Sequence, residues 1–192
     1  MGREFELKYR ANPDILRAIR EKYGDFTEIS METEYYDTFD GKLMNLRWTL
    51  RRRMENGVSV CALQIPLADC SRGEWEVDAP GLMTGIPALC RGGAPMELMA
   101  LTVSGLRTVC GARFTRLAKT LTLDGCTLEL ALDEGVLIGS GRELPMAEVE
   151  VELKSGPESA AVDFARALAE EFALTEEPES KYRRALKLAW GN

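Results

Sequence analysis

The sequence has no histidine among its 192 residues. This absence excludes Ser-His and Cys-His nucleophilic catalysis, imidazole metal ligands, and the side chain that most often acts as a base near neutral pH. Any reaction at this protein must therefore depend on Asp, Glu, Lys, Arg or Tyr side chains, or on a water molecule bound to a metal ion.

Long apolar stretches are also missing. No segment is long enough to span a bilayer, and the N-terminus lacks the basic and apolar regions of a signal peptide. The five cysteines are odd in number, widely spaced and without a Cys-x-x-Cys motif, which favours neither a disulfide framework nor a thiolate zinc site. We expect reduced, mostly buried thiols and a cytoplasmic protein that does not bind a membrane.

Basic residues are fewer than acidic ones: 24 Lys and Arg against 31 Asp and Glu give a net charge of −7. This balance argues against nucleic acid as a partner, although a local basic site for a small anionic ligand remains compatible with it. The length suits a single domain over residues 1–192, which we expect to be a monomer or a homodimer.

The first residues alternate between charged and apolar side chains, which predicts a β-strand with two unlike faces. Glu4, Glu6 and Lys8 share one face, and Phe5 and Leu7 share the other. Two carboxylates on one face repel each other unless water, Lys8 or a divalent cation lies between them. The pattern is compatible with an oxygen-lined cation site, but by itself it is more typical of the solvated face of an antiparallel strand.

Later strands repeat this separation of charged and apolar side chains. Their charged faces carry Arg51 and Arg53 in a basic hairpin at about 46–63, Arg72, Glu74 and Glu76 in the following strand, and Glu148, Glu150 and Glu152 at about 147–153. Period-two alternation places Arg52 on the opposite face from Arg51 and Arg53. On an open sheet these residues would form cross-strand ion pairs, whereas in a closed sheet they would face a common interior.

Helical spacing predicts a short helix after Asn12, a helical insert at about 80–111 and C-terminal helices at about 157–190. Turns are predicted at residues 124–125 and 134–135, each of which contains glycine. Together these elements predict an α+β fold of about eight antiparallel strands, with helices packed against the apolar faces.

The sequence resembles the CYTH superfamily, the triphosphate tunnel metalloenzymes. Its N-terminal residues Glu4-Phe5-Glu6-Leu7-Lys8 resemble the Glu-x-Glu-x-Lys signature of that superfamily. Further segments resemble the superfamily in order along nearly the whole chain: Tyr35–Thr38, Leu50–Arg53, Arg72–Glu76, Phe114–Arg116, Glu129–Gly135, Glu148–Glu152 and Ser180–Lys181.

This resemblance implies an eight-stranded antiparallel β-barrel, a tunnel with a charged lumen, which binds a linear triphosphate with Mg²⁺ or Mn²⁺ and usually hydrolyses it. Hard carboxylate oxygens suit either ion, and fixed Arg and Lys donors suit phosphate oxygens. The implied roles are catalysis for Glu4, Glu6 and Lys8, metal binding for Glu4, Glu6, Glu148 and Glu150, phosphate binding for Lys8, Arg51, Arg53, Arg72, Arg116 and Lys181, and less definite site roles for Glu74, Glu76, Asp133 and Glu152.

One position departs from the superfamily pattern. Gln64 stands where the return strand of the basic hairpin usually ends in lysine, so substrate binding or turnover should weaken if this side chain faces the lumen. We expect a metal-dependent triphosphatase, most like the inorganic triphosphatases, which convert tripolyphosphate into pyrophosphate and phosphate. The alternatives are a non-catalytic module that binds polyphosphate or nucleotides, a thiamine triphosphatase and a class IV adenylate cyclase.

Overall fold

The computed structural model of the chain describes residues 2–3, 5–67, 72–123 and 125–191, with the backbone alone described for residues 2, 3 and 72. These residues form an α+β fold. The strands are β1 (Gly2–Arg3), β2 (Glu6–Arg10), β3 (Thr27–Thr38), β4 (Thr49–Glu55), β5 (Val58–Pro66), β6 (Arg72–Asp78), β7 (Leu106–Leu123), β8 (Cys126–Gly139), β9 (Arg142–Ser155) and β10 (Thr175–Glu176). The helices are α1 (Pro13–Tyr23), α2 (Lys42–Asn45), α3 (Leu82–Arg91), α4 (Glu97–Thr102), α5 (Glu158–Phe172) and α6 (Lys181–Trp190).

All of these strands belong to one antiparallel sheet, in the order β1-β6-β5-β4-β3-β7-β8-β9-β2-β10. The prediction of an antiparallel α+β fold is confirmed. The strand count differs from the predicted eight because β1 and β10, with two residues each, extend the two ends of the order. Among the described residues the hydrogen-bonded ladder remains open rather than closing into a barrel.

Helix α1 forms where the sequence predicts it. The Oδ1 atom of Asn12 accepts a hydrogen bond of 2.9 Å from the backbone N–H of Ile15 and so caps the first turn. Pro13 occupies the first helical position, where it needs no backbone donor, and Gly24 ends the helix.

Two apolar clusters cover one side of the sheet, which we call the outer face. Helices α1 and α5 pack on β2, β8 and β9 in the first cluster, and α3 and α4 pack on β4, β5 and β6 in the second. Fully buried members of these clusters are Ile19, Leu130, Val151 and Leu168 in the first, and Leu50, Leu63, Leu89 and Leu98 in the second. The charged side chains of the same strands therefore point to the opposite side, which we call the inner face.

The predicted helical insert is shorter than the interval 80–111. It contains α3 and α4, but β7 begins at Leu106, so the helical prediction for residues 106–111 is wrong. Leu106 pairs with Thr38 and Cys110 pairs with Tyr35 across the β3–β7 ladder. Because β3 supplies a hydrogen-bonding partner for this segment, strand pairing overrides its local composition.

The predicted turn at residues 134–135 is also wrong, because β8 continues through it without interruption. Gly135 pairs with Phe114 on β7 and with Met146 on β9. A Cβ atom at this glycine would collide with the carbonyl oxygen of Arg113 and with Phe114. The glycine therefore permits the close approach of two strands rather than a reversal of the chain.

Helix α6 packs on the inner face, although we predicted helices on the apolar outer face only. Ala185 and Leu186 join a buried cluster with Tyr35 and Leu137. Tyr35 is opposite Arg51 in the β3–β4 ladder, and cross-strand partners project to the same face. The inner face is therefore apolar where α6 covers it and charged elsewhere.

The helices of the described segments are short, and α5 is the longest of them with 15 residues. None of them combines the length and the apolarity that a membrane crossing by a helix needs. The cytoplasmic location stays a prediction.

Candidate functional site

A cavity of about 750 Å³ lies against the inner face of the sheet, beside α6. Its walls come from strands at both ends of the strand order, including β2 and β9 on one side and β4 and β5 on the other. The charged and amide side chains that line the cavity are Glu6, Lys8, Arg47, Arg51, Arg53, Gln64, Arg116, Glu150, Glu152, Lys181 and Arg183.

Strands β2 and β9 form the acidic wall of this cavity. Leu7 and its alternate neighbours pack into the outer core, so Glu6 and Lys8 project inward. In the β2–β9 ladder Glu6 lies opposite Glu152, and Lys8 lies opposite Glu150. The opening strand thus has the two unlike faces that its sequence predicts, with the charged face toward the cavity.

A group of three carboxylates lies at this wall: Glu150 on β9 lines the cavity, and Asp133 on β8 and Glu148 on β9 lie behind it. All three are buried, and their oxygen atoms approach within 4.8 Å of one another. Asp133 and Glu148 are cross-strand partners, which brings their side chains together on the inner face. Negative charges packed so closely need nearby cations.

Lys181 supplies the first of these cations. Its Nζ atom lies 2.8 Å from a carboxylate oxygen of Asp133, 2.8 Å from one of Glu148 and 2.6 Å from one of Glu150. Ser180 caps α6 by accepting a hydrogen bond from a backbone N–H, which places Lys181 in the first turn. Burial alone would lower the pKa of Lys181, but Asp133 and Glu150 outweigh it and raise that pKa above its usual range.

Arg116 and Arg184 complete the charge balance. Arg116 donates two hydrogen bonds of 2.8 and 2.7 Å to Asp133 and a third of 2.5 Å to Glu150, while Arg184 contacts Glu148. Burial would raise the pKa of Glu150, but the charges of Lys181 and Arg116 hold it well below its usual range. Three cations therefore face three carboxylates in one buried network.

Glu6 has a different environment from that network. Its side chain is 35% exposed, and the Nζ atom of Lys8 is 3.9 Å from its nearer carboxylate oxygen. Burial raises the pKa of Glu6, and the negative charge of Glu150 raises it further. Glu6, Glu150 and Glu152 thus present carboxylate oxygens to the cavity, a donor set that suits a hard divalent cation.

The basic wall of the cavity is the β4–β5 hairpin with its neighbour β6. Arg51 contacts Glu74 at 3.0 Å and Glu76 at 3.2 Å, and Arg53 contacts Glu76 at 3.3 Å. Arg52 points to the opposite side, where its Nε atom donates a hydrogen bond of 3.0 Å to Ser59. The predicted division of the three arginines between two faces is confirmed.

Gln64 lies on the same wall and lines the cavity. Its Nε2 atom donates a hydrogen bond of 2.9 Å to Glu74, the carboxylate that also contacts Arg51. A neutral amide therefore occupies a position within the cavity at which a lysine would add a positive charge.

Comparison with known proteins identifies the family to which this architecture belongs. The sequence model of the CYTH domain matches residues 2–186, which is nearly the whole chain. The chain belongs to the CYTH domain family. The resemblance noted from its motifs is thereby confirmed.

One relative of this CYTH domain is the inorganic triphosphatase of Haemophilus influenzae strain Rd. The two sequences are 29% identical over 203 aligned residues, which cover 98% of this chain and 55% of the relative. The chain thus spans about half the length of the curated relative that it matches.

Solved structures resemble the CYTH domain in fold. The protein HpAC1 from Hippeastrum, provisionally named an adenylyl cyclase and described with a dominant triphosphatase activity, has a TM-score of 0.67 at 17% identity, over 94% of this chain and 93% of that one. The PH1819 protein of Pyrococcus horikoshii OT3 has a TM-score of 0.64 at 22% identity, over 96% of this chain and 99% of that one. At these identities the likeness concerns the fold.

The structure brings most of the predicted CYTH site residues to the cavity. Those that line it are Glu6, Lys8, Arg51, Arg53, Arg116, Glu150, Glu152 and Lys181. Glu74 and Glu76 lie beside the basic wall as partners of its arginines, and Asp133 and Glu148 lie behind the acidic wall. Glu4 and the side chain of Arg72 lie outside the described residues, so their roles stay predictions.

Several cavity residues received no role from the sequence. Arg47 continues the inward face of the basic strand by period two, and Arg183 belongs to the basic C-terminal segment, so both carried a weak signal. Tyr35 and Tyr182, whose ring centroids are 5.0 Å apart, also line the cavity. The position of α6 on the inner face, which brings Tyr182 and Arg183 to the site, has no local sequence signature.

Proposed function

We propose that this CYTH domain is a metal-dependent hydrolase of triphosphate groups, most like the inorganic triphosphatases, which convert tripolyphosphate into pyrophosphate and phosphate. The proposal rests on one observation, namely that a single cavity has a basic wall and an acidic wall. Arg51 and Arg53 form a basic wall that suits phosphate oxygens, and Glu6 and Glu150 present carboxylates on the other wall that suit a divalent cation. The name of the Haemophilus relative supports the choice of tripolyphosphate.

We also infer that the sheet closes into a tunnel of eight long strands. β1 pairs with β6 at one end of the strand order, and β2 pairs with β9 near the other end, yet only residues 4 and 5 separate β1 from β2. Eight antiparallel steps lie between them in the order, so the two segments run in the same direction. The segments β1 and β2 would then act together as one interrupted strand that joins both edges of the sheet.

The proposed phosphate ligands are Lys8, Arg51, Arg53, Arg116 and Lys181, with Arg72 added from the family resemblance. Arg51 and Arg53 are only 16% and 18% exposed, and carboxylates of β6 hold both guanidinium groups in place. Donors fixed in this way need little rearrangement when negative charge develops on the transferring phosphoryl group. Their planar N–H groups can also bind two phosphate oxygens at once.

Mg²⁺ or Mn²⁺ is the proposed cofactor, with Glu6 and Glu150 as ligands and Glu4 as a third from the resemblance. The raised pKa of Glu6, caused by burial and by Glu150, supports this assignment because a cation would relieve the repulsion between the two carboxylates. When bound, the ion would neutralise phosphate charge and acidify a coordinated water. Glu152, opposite Glu6, is placed to contribute another oxygen.

For Glu148 the geometry favours a role other than the predicted metal binding. Its side chain is almost fully buried, and it contacts Lys181 and Arg184. We propose that Glu148 and Asp133 fix the position of Lys181, whose ammonium then contacts the phosphate chain from the side of α6. Lys8, buried between Glu6 and Glu150, would donate to a phosphate oxygen nearer the metal ligands.

A second candidate function is a binding module without turnover, which the neutral Gln64 on the basic wall favours. A single experiment separates the candidates. Phosphate release is measured from tripolyphosphate, thiamine triphosphate and ATP with Mg²⁺, Mn²⁺ or EDTA, alongside calorimetric titration of each compound. Metal-dependent release that is fastest from tripolyphosphate supports the proposal. Binding without release supports the module, and cyclic AMP formed from ATP would indicate a cyclase.

A further inference from the structure

Two arginines at the cavity differ from the other cations that line it. Lys8, Arg51, Arg53, Arg116 and Lys181 each have a carboxylate oxygen within 4.0 Å. Arg47 and Arg183 also line the cavity and are exposed, but among the described residues neither has an ion-pair partner. No carboxylate of the described segments therefore compensates their positive charge.

Arg47 is held in an uncommon backbone conformation. Its φ angle is +58°, in the left-handed region that residues other than glycine rarely adopt. Its backbone N–H donates a hydrogen bond of 2.8 Å to the carbonyl oxygen of Met44, which fixes the turn between α2 and β4. Such a conformation is retained only where the surrounding contacts impose it, and it is enriched at binding sites.

Both arginines line the same cavity. Met44, in the same turn as Arg47, packs against the inner-face cluster that also contains Leu186 of α6. Arg183 precedes Leu186 by three residues, so the two side chains lie on neighbouring positions of the helix surface. Neither arginine contacts the carboxylates of the acidic wall.

We propose that Arg47 and Arg183 form an outer anion subsite, which binds phosphates beyond the third in a linear polyphosphate chain. This inference rests on the proposed function and extends its substrate class from tripolyphosphate to longer linear polyphosphates. The inner cations are already paired and would share their charge between carboxylates and substrate, whereas these two arginines have no ion pair with the described part of the chain to break. A nucleoside would present no negative charge to them, so their positive charge favours a phosphate chain over a nucleotide.

The test compares tripolyphosphate with tetrapolyphosphate in Arg47→Gln, Arg183→Gln and the double variant. Calorimetric titration with EDTA measures binding without turnover, and phosphate release with Mg²⁺ measures kcat/KM. We expect each substitution to weaken tetrapolyphosphate binding by about three- to fivefold, the range of a partly exposed charge contact, and the double variant by about tenfold. Affinity for tripolyphosphate should change by less than about twofold.

The matched control is Arg20→Gln, which removes the same charge from an exposed position on α1 outside the cavity. Arg47→Lys and Arg183→Lys keep the charge and should retain most of the preference for tetrapolyphosphate. The inference is overturned if the double variant weakens both polyphosphates equally, if it behaves like the α1 control, or if ATP binding falls as much as tetrapolyphosphate binding.

The readouts also separate this inference from the proposed function. Suppose that the wild type prefers tetrapolyphosphate in the titrations, that the double variant loses this preference, and that no metal supports phosphate release. This result would support the subsite and contradict the hydrolase. Conversely, the wild type could release phosphate from tripolyphosphate in a metal-dependent way while neither arginine substitution changes the preference for chain length. This result would support the hydrolase and contradict the subsite.

Discussion

The Nζ atom of Lys181 lies 2.8 Å from a carboxylate oxygen of Asp133, a side chain with no solvent exposure. The same oxygen accepts a hydrogen bond from Arg116. A carboxylate buried between two cations is stabilised by their positive charges, because burial removes the water that would otherwise solvate it. The acidic cluster therefore contributes to the stability of the fold and also supports the wall of the cavity.

Asp133→Asn should therefore be strongly destabilising. The substitution keeps the shape of the side chain but leaves Lys181 and Arg116 with one negative charge fewer in a buried setting. We expect a loss of about 3 kcal/mol, which would lower the melting temperature by roughly 6–12 °C for a domain of this size. Differential scanning calorimetry measures the shift.

The control is the exposed pair of Arg113 and Glu143, whose atoms are 2.9 Å apart and whose side chains are 58% and 51% exposed. Glu143→Gln should cost less than about 0.5 kcal/mol, as exposed ion pairs do. Equal shifts in the two variants would contradict the distinction drawn between buried and exposed pairs.

Glu6→Gln should have the opposite effect on stability. Because burial and Glu150 raise its pKa, ionised Glu6 is disfavoured in the folded state, and the penalty grows as the pH rises above the usual value of 4.5. At pH 7 without metal the variant should therefore unfold at a slightly higher temperature than the wild type, a small gain because the side chain is partly exposed and solvent screens its charge. The gain should vanish below pH 4.5.

The same variant should lose metal-dependent phosphate release by roughly 100-fold or more, since it removes a proposed metal ligand. Glu28→Gln, on an exposed part of β3, serves as the control for both measurements. A Glu6 variant that kept its turnover, or that lost stability at neutral pH, would argue against the proposed cation site.

Some of this site follows directly from the sequence. Period-two alternation places Glu6 and Lys8 on one face and separates Arg51 from Arg52, because strand geometry depends only on neighbouring residues. The family resemblance adds that the face of Glu6 and Lys8 and the face of Arg51 line one cavity. In the structure, residues of both faces do line it.

Other features depend on contacts that local pattern does not reveal. The bond from Lys181 to Glu150 joins residues 31 positions apart, so neither residue carries a local signal for the other. The packing of α6 on the inner face depends on Gly139, where a Cβ atom would collide with Ala185 and Ala189. A glycine at the end of a strand gives no indication of which helix approaches it.

The arginines of β4 offer a test within three consecutive positions of one strand. Arg51→Ala and Arg53→Ala should each lower kcat/KM for tripolyphosphate by about 10- to 100-fold, the value of a charge-assisted contact with phosphate. Arg52→Ala, on the opposite face, should change it by less than about threefold. Steady-state phosphate release measures all three, and a loss at Arg52 equal to the other two would contradict the assignment of faces.

The stability contribution of Glu150 should depend on pH with a defined sign. Its folded pKa lies below the usual value of 4.5 because of Lys181 and Arg116, so its contribution is complete above pH 4.5 and decreases as the pH falls toward the folded pKa. The stability difference between the wild type and Glu150→Gln should therefore be largest near neutral pH and shrink by about 1.4 kcal/mol per pH unit below 4.5. Denaturant titrations at several pH values measure it, and a difference that grows on acidification would be inconsistent with this pairing.

Gln64→Lys should strengthen the binding of tripolyphosphate. Gln64 already lines the cavity and lies next to Glu74, so a lysine there would add a cation to the basic wall, close to Arg51 and with a carboxylate to orient it. We expect affinity to rise by about five- to tenfold, less than a full charge-assisted contact because Glu74 would share the new charge. Gln64→Met removes the amide without adding charge and should show no gain. If only the lysine variant releases phosphate, the native chain is a binding module. If the native chain releases phosphate at a measurable rate and the lysine variant releases it faster, the hydrolase is supported.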